Sequence, residues 1–194
     1  MTPASRHADG ARERILCAAY ELFARNGTRS VGIDTIIEKS GVAKMSLYRH
    51  FRSKQDLVLC FLERREALWT VDWLRRDVES RPGGPGEQLL AIFDVFDAWF
   101  QKDDFEGCSF INVLLEYPPD DPLHLAAAEQ LAHIRGFLQE LASEAGLTDI
   151  EAFADTWHIL MKGSIVAAGE GNRHAARRAQ NAARAVLAGW PRKG

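Results

Sequence analysis

Residues 31–54, VGIDTIIEKSGVAKMSLYRHFRSK, decide the fold of this chain. Ile33, Ile36 and Ile37 recur at helical spacing and form one apolar face. Gly41 breaks the pattern after Ser40, where a helix ends best on a residue that tolerates positive φ. Val42 and Leu47 bring the chain back to a core, and between them Lys44, Met45 and Ser46 are left facing outward. Tyr48, Arg49 and His50 follow on the same short helix. Two short helices joined by a tight turn, with a third beginning after Ser53, make the helix-turn-helix pattern, whose second helix lies in the DNA major groove.

Outward from that stretch the chain reads as helix almost throughout. A first helix over about 11–26 places Ile15, Ala19, Leu22 and Phe23 on one face and ends at Gly27. The second spans about 33–40 with Gly32 as N-cap, and the third about 44–50. Ser53 caps a fourth, with Asp56 three residues on as its capping-box partner, and Leu57, Val58, Phe61, Leu62 and Leu68 carry it to about Val78. RPGGPG at 81–86 cannot be helix and marks a loop. Five more helices follow: about 87–101, 108–116, 122–145, one capped by Thr148 with Glu151 and ending near Gly169, and one opened by Asn172 and ending at Gly189. No internal repeat and no strand-like alternation interrupts them.

GVAKMSLYRHF followed by SKQDLV resembles the recognition helix and fourth-helix entry of the tetracycline-repressor (TetR) family of transcriptional regulators. RERILCAAYELFARNGTRSVGIDTIIEKSGV is similar to the family's first two helices, and GCSFINVLLEYP (107–118) to a ligand-domain motif of one sub-branch. The resemblance is specific through about Glu66 and a matter of layout beyond it. It implies an all-α chain of about nine helices: a three-helix helix-turn-helix DNA-binding domain at 1–54, and an effector-binding and dimerisation domain at 55–194, joined through helix four. It further implies a homodimer on a palindromic operator, released when a small molecule moves helix four.

Composition agrees independently. The chain has 194 residues, 46% of them hydrophobic and 26% charged, enough for one small domain and one of ordinary size. No apolar run approaches the ~20 residues of a membrane span. The opening MTPASRHADGARER lacks an apolar signal region, so a cytoplasmic protein is expected. Cys17, Cys60 and Cys108 are scattered without CxxC spacing and fit reduced thiols. The net charge of −3 conceals a division: residues 1–54 carry ten Lys or Arg against five Asp or Glu, and residues 55–194 fourteen against twenty-two. A basic head attracts a phosphate backbone, and an acidic body resists lying on it.

For DNA reading the candidates are Lys44, Met45, Ser46, Tyr48, Arg49, His50 and Lys54. Lys44 and Arg49 can offer hydrogen bonds to guanine edges, a good bidentate contact discriminating by ~1–3 kcal/mol. The resemblance carries base or backbone contact onto Lys44, Ser46 and Tyr48, and phosphate contact onto His50 and Lys54. Lys54 also lies in the first turn of helix four, where an anion is favoured. Tyr48 has a second reading, an aromatic packed between helices. Met45 either touches a thymine methyl or fills space. Leu47 and Phe51 belong to the core.

Small residues on the last two helices, Gly163, Ala167, Ala175, Ala179 and Ala183 with Val186, mark a dimer surface. The alternative is a terminal helix folded on its own subunit. A cavity for an apolar or aromatic effector is expected from Phe93, Phe96, Trp99, Phe100, Phe110, Leu114, His124, Trp157 and Met161, residues that ordinary core packing also explains. Asp94, Asp97, Asn112 and Glu116 are its possible polar anchors.

His7, His50, His124, His133, His158 and His174 show no HxxxH or HExxH spacing, so no metal is expected. There is no GxSxG, Walker or GxGxxG site, hence no cofactor and no catalysis. The sequence therefore specifies a DNA-binding regulator, most simply a ligand-released repressor. Its rivals are a ligand carrier or small enzyme with a vestigial helix-turn-helix, and a regulator with no effector.

Overall fold

The computed structural model describes the backbone of residues 3–193 and the side chains of residues 10–193, leaving the His7 side chain outside the described residues. Nine helices form among them. They are α1 (Pro3–Asn26), α2 (Ile33–Ser40), α3 (Lys44–His50), α4 (a continuous helical run over 54–80), α5 (Pro85–Phe100), α6 (Ser109–Glu116), α7 (Pro122–Glu144), α8 (Ile150–Gly169) and α9 (Ala175–Gly189). The only strand-like feature among the described residues is an isolated antiparallel bridge between Leu147 and Arg192. Among the described residues no helix is long and apolar enough to cross a membrane. The expected all-α architecture is the one observed.

Two compact units make up the chain. The first joins the residues through Arg65 to Ser109–Glu129, and the second joins Glu66–Cys108 to the residues from Gln130 onward. In the first, Ile15, Ala19 and Phe23 of α1 bury against Ile36, Leu47, Phe51, Leu57 and Phe61. Tyr20 and Phe23 each meet Phe61 edge-on at 5.5 Å between ring centres. Full burial of each such side chain contributes about 1.5–3 kcal/mol, so this core alone can hold three short helices in place.

In the second unit α5 is the central element. Leu89, Ile92, Phe93, Val95 and Phe96 are all buried, and α9 packs on both α5 and α8. Phe153 and Trp157 of α8 stack at 5.1 Å, and Trp157 meets Phe93 at 5.6 Å.

Three local details depart from the sequence expectation. Helix α4 is α-helical over Lys54–Arg65, π-helical over Glu66–Arg75 and α-helical again over Arg76–Ser80. The wider π turn brings Trp69 and Leu74, five apart, to the buried side and leaves Leu68 and Val71 half exposed. The capping box expected from Thr148 and Glu151 does not form. Asp149 begins α8 in the left-handed region (φ 48°) without a side-chain cap. The terminal segment has claimed Thr148 instead: its N–H and hydroxyl both donate to Pro191 O, and Trp190 Nε1 donates to Thr148 O at 2.8 Å. Asn172 caps as an Asx turn, its Oδ1 accepting from His174 N, and α9 starts later than expected, at Ala175.

Candidate nucleic-acid interface

The turn between α2 and α3 is made by Gly41, whose φ of 64° and ψ of 28° lie in the left-handed region. Its N–H reaches back to Ile37 O at 3.0 Å and Glu38 O at 3.4 Å, closing α2 as a glycine C-cap does. Ala43 then starts α3 with extended backbone (ψ 144°). Leu47 is fully buried and Phe51 nearly so, with the Arg12 guanidinium 5.3 Å over the Phe51 ring. Burying residue 47 of a seven-residue helix fixes which face turns outward. Lys44, Met45, Tyr48 and Arg49 are exposed, Met45 by 71% and Tyr48 by 44%. Ser46 and His50 are half-buried beside them. Of the two readings of Tyr48, the interhelical one is not realised.

Two of the basic DNA-reading candidates have partners within this unit. Lys44 Nζ pairs with Asp34 Oδ1 at 3.1 Å, both side chains well exposed. Lys54 Nζ donates to Arg29 O at 3.2 Å. Burial lowers the Lys54 pKa from its ordinary value, opposed by the nearby Glu116 carboxylate. The start of α4 is capped by Ser53 as its sequence predicts, Asp56 N donating to Ser53 Oγ at 3.1 Å. The Asp56 carboxylate, however, accepts from Arg52 N at 3.0 Å, one residue before the N-cap that a capping box would reach.

The residues expected to line an effector cavity divide between the units. Phe110 (1% exposed), Leu114 and His124 belong to the first. There His124 Nδ1 lies 2.8 Å from Leu114 O and 3.1 Å from Tyr117 O. Both partners can only accept, so Nδ1 carries the hydrogen and the ring serves as a cap for the end of α6. Phe93, Phe96, Trp99, Phe100, Trp157 and Met161 are buried in the second unit. Trp69, Trp73 and Phe105, which sequence reasoning passed over, join them: Trp69 and Trp73 each lie within 5.5 Å of Trp99, and Phe105 lies 4.9 Å from it. Asp94 and Asp97 are not anchors, because both pair with Arg177, at 2.8 and 3.0 Å.

Three buried polar atoms in this unit have no hydrogen-bond partner: Thr70 Oγ1, Trp157 Nε1 and His158 Nδ1. Burial, helped by the charges of Lys162 and Arg135, pushes the His158 pKa down to about 3, so its imidazole is neutral at pH 7. No pattern in the sequence separates His158 from a surface histidine.

The small residues expected at a dimer surface also divide. Gly163 is exposed, and Ala167, Ala179 and Val186 are half-buried. Ala175 and Ala183 are instead 4% and 0% exposed, packed inside the single chain. Ile159 and Val166 stand out of α8, exposed by 64% and 51%. Cys17 and Cys60 are thiols whose pKa values burial raises, and Cys108 is buried. No cluster of metal-ligating side chains occurs among the described residues.

A basic, outward-facing α3 behind a glycine-capped α2 defines a helix-turn-helix protein of all-helical build. Residues 15–59 match the family profile described as bacterial regulatory proteins, tetR family. The transcriptional activator FasR of Mycolicibacterium smegmatis is 43% identical over 56 residues, which are 29% of this chain and 26% of FasR. The transcriptional regulator QacR of Staphylococcus aureus is 31% identical over 70 residues, covering 36% of this chain and 37% of QacR. The chain thus spans well under half the length of these two relatives. Among solved structures, a TetR-family regulator from Streptomyces coelicolor superposes with a TM-score of 0.84 at 27% identity, over 97% of this chain and 95% of that one. The reduced form of Escherichia coli NemR shares the fold, with a TM-score of 0.80 at 20% identity over 90% of this chain and 95% of NemR. Together these matches support a TetR-family transcriptional regulator.

Proposed function

We propose that the chain is a cytoplasmic, homodimeric transcriptional repressor that binds a palindromic operator and is released by a small apolar effector. The observation that carries the reading is the outer face of α3, where Lys44, Met45, Tyr48 and Arg49 project from a helix anchored by Leu47. Ser46 and His50 flank that face, and Lys54 approaches the phosphate backbone from α4. Residues 1–54 act as the DNA-reading head and residues 55–194 as the effector and dimer body.

One recognition helix reads few base pairs, so a two-fold pair of heads and an inverted-repeat site follow. Ile159, Gly163, Val166 and Ala167 of α8, with Ala179 and Val186 of α9, form the dimer face. The effector lodges among the aromatic side chains of the second unit, where Thr70, Trp157 and His158 hold unused hydrogen-bonding atoms. It acts only through its difference in affinity for the DNA-bound and released states.

The test is binding of the purified chain to DNA flanking its own gene, with competitor DNA present and salt varied. Specific binding survives the competitor and weakens as salt rises, by a slope of about −0.9 in log K against log salt for each phosphate neutralised. Absence of any salt-dependent affinity refutes the reading. A small-molecule screen on the resulting complex then identifies the effector, and failure of every apolar ligand to release the DNA or raise the melting temperature removes the effector from the proposal.

A further inference from the structure

The motif at 107–118 ends in a junction within the first unit. Glu116, the last residue of α6, takes hold of the turn between α1 and α2, nearly ninety positions earlier in the chain. Its carboxylate accepts from Thr28 N at 3.0 and 3.1 Å, from Arg29 N at 3.2 Å, and from the Thr28 hydroxyl. The Thr28 hydroxyl proton goes to that carboxylate, so the Tyr117 hydroxyl donates to Thr28 Oγ1, at 3.0 Å. The Arg29 guanidinium lies 5.2 Å over the Tyr117 ring, and Arg29 O accepts from Lys54 Nζ. Thr28 is 1% exposed. Gly27, at φ 78°, leaves the room: a Cβ there would collide with Glu116 Oε1.

The turn so held is the one that launches α2, and Lys54, held by the same turn, opens α4. We propose that Glu116 is a positioning residue for DNA recognition, fixing the α1–α2 turn and Lys54 so that α2 and α3 present one defined face to the operator. The proposal rests on the regulator reading above. Two neutral N–H groups and a hydroxyl converge on one carboxylate, and charge-assisted bonds of this kind are about twice as strong as neutral ones. The C-terminal end of α6, where Glu116 sits, is also tied down by His124. Glu116 is thereby the link between the end of α6 and the turn that launches α2.

The experiment uses the full chain and a DNA duplex selected from a random pool by the wild type. Glu116→Gln keeps the size of the side chain and removes its charge. It is expected to weaken binding by about tenfold, with the salt slope falling by no more than about 0.9, the share of the single phosphate that Lys54 would neutralise. A double-mutant cycle with Thr28→Val is expected to be non-additive, since the second change removes a contact already broken. Repeating the selection with Glu116→Gln should return sites with looser half-site spacing, a result that mere loss of stability does not produce.

Binding within twofold of wild type by a folded Glu116→Gln chain overturns the proposal. If that variant fails to fold, Thr28→Val is read in its place: it retains the two backbone bonds, and about threefold weaker binding is expected. Unchanged binding by Thr28→Val then overturns the proposal. Failure of the wild type to select any DNA is seen before a variant is made, and refutes the regulator reading, with which this inference falls.

Discussion

His158 gives the sharpest test of the interior of the second unit. Its side chain is 2% exposed, Nδ1 has no partner, and Lys162 and Arg135 add unfavourable charge, so the folded chain holds the imidazole neutral down to about pH 3. The unfolded chain protonates it near 6.5. A histidine whose folded pKa is depressed leaves the unfolded state binding more protons between those two values. Stability is therefore undiminished above about 6.5 and is lost progressively as pH falls toward 3. At pH 5 the unfolded state is favoured by the free energy of its own protonation, one and a half units below its pKa, or about 2 kcal/mol. The assay is urea unfolding of wild type and His158→Leu at pH 7.5 and 5, at one protein concentration. Every other group is common to both proteins, so the difference between the two losses isolates residue 158. Wild type should lose about 2 kcal/mol more than the variant. Parallel losses, within about 0.5 kcal/mol, would refute a buried neutral histidine.

Other substitutions test the remaining parts. Asp34→Ala releases the exposed Lys44 ammonium; such a surface pair contributes ~0–1 kcal/mol, so unfolding should barely change while DNA affinity in gel-shift titration rises several-fold. Phe96→Ala removes a fully buried ring that touches Trp69, Phe93, Trp99 and Phe100, and should cost about 3–5 kcal/mol in urea unfolding. Ile159→Glu should yield a folded monomer by light scattering, because that side chain is exposed in the single chain. Ala183→Glu, at a site with no exposure, should abolish folding as read by circular dichroism.

The elements that could be read from sequence are those governed by neighbours. Ile33, Ile36 and Ile37, the Gly41 stop and the Ser53–Asp56 cap lie within a few residues of what they control, and the helices form there. Where a distant segment competes, local reading fails. Thr148 had the sequence of an N-cap, yet the terminal residues 190–191 reached its polar groups first. Asp94 and Asp97 carried the charge of an effector anchor, but Arg177 lies eighty positions away and cannot be foreseen from them. Glu116 was visible as a polar residue on an apolar helix, and its partner was not. The π-helical turns of α4 left no trace either, since Trp69, Thr70, Leu74 and Val78 satisfy a four-residue repeat nearly as well as a five-residue one. Ala175 and Ala183 show the limit of composition: a small residue suits a subunit interface and a tight intrachain contact equally, and packing on α5 and α8 decided between them.

The departures from local expectation also bear on the effector. A buried polar atom without a partner costs about 1–3 kcal/mol, and the second unit carries three in Thr70, Trp157 and His158. Replacing them with apolar side chains of similar volume would remove that cost, so their retention is not explained by stability. On the repressor reading the same cost is recovered when a ligand supplies the missing partner. The Trp157 N–H can only donate, and the neutral His158 ring can present Nδ1 as donor or acceptor. An effector that matches them is an apolar body bearing at least one hydrogen-bond acceptor, and a pure hydrocarbon of the same shape gains only from contact. On that reading, because a site built around unpaired polar groups discriminates strongly against ligands that lack the matching group, the selectivity of release is expected to follow from the defects in the core rather than from its aromatic surface.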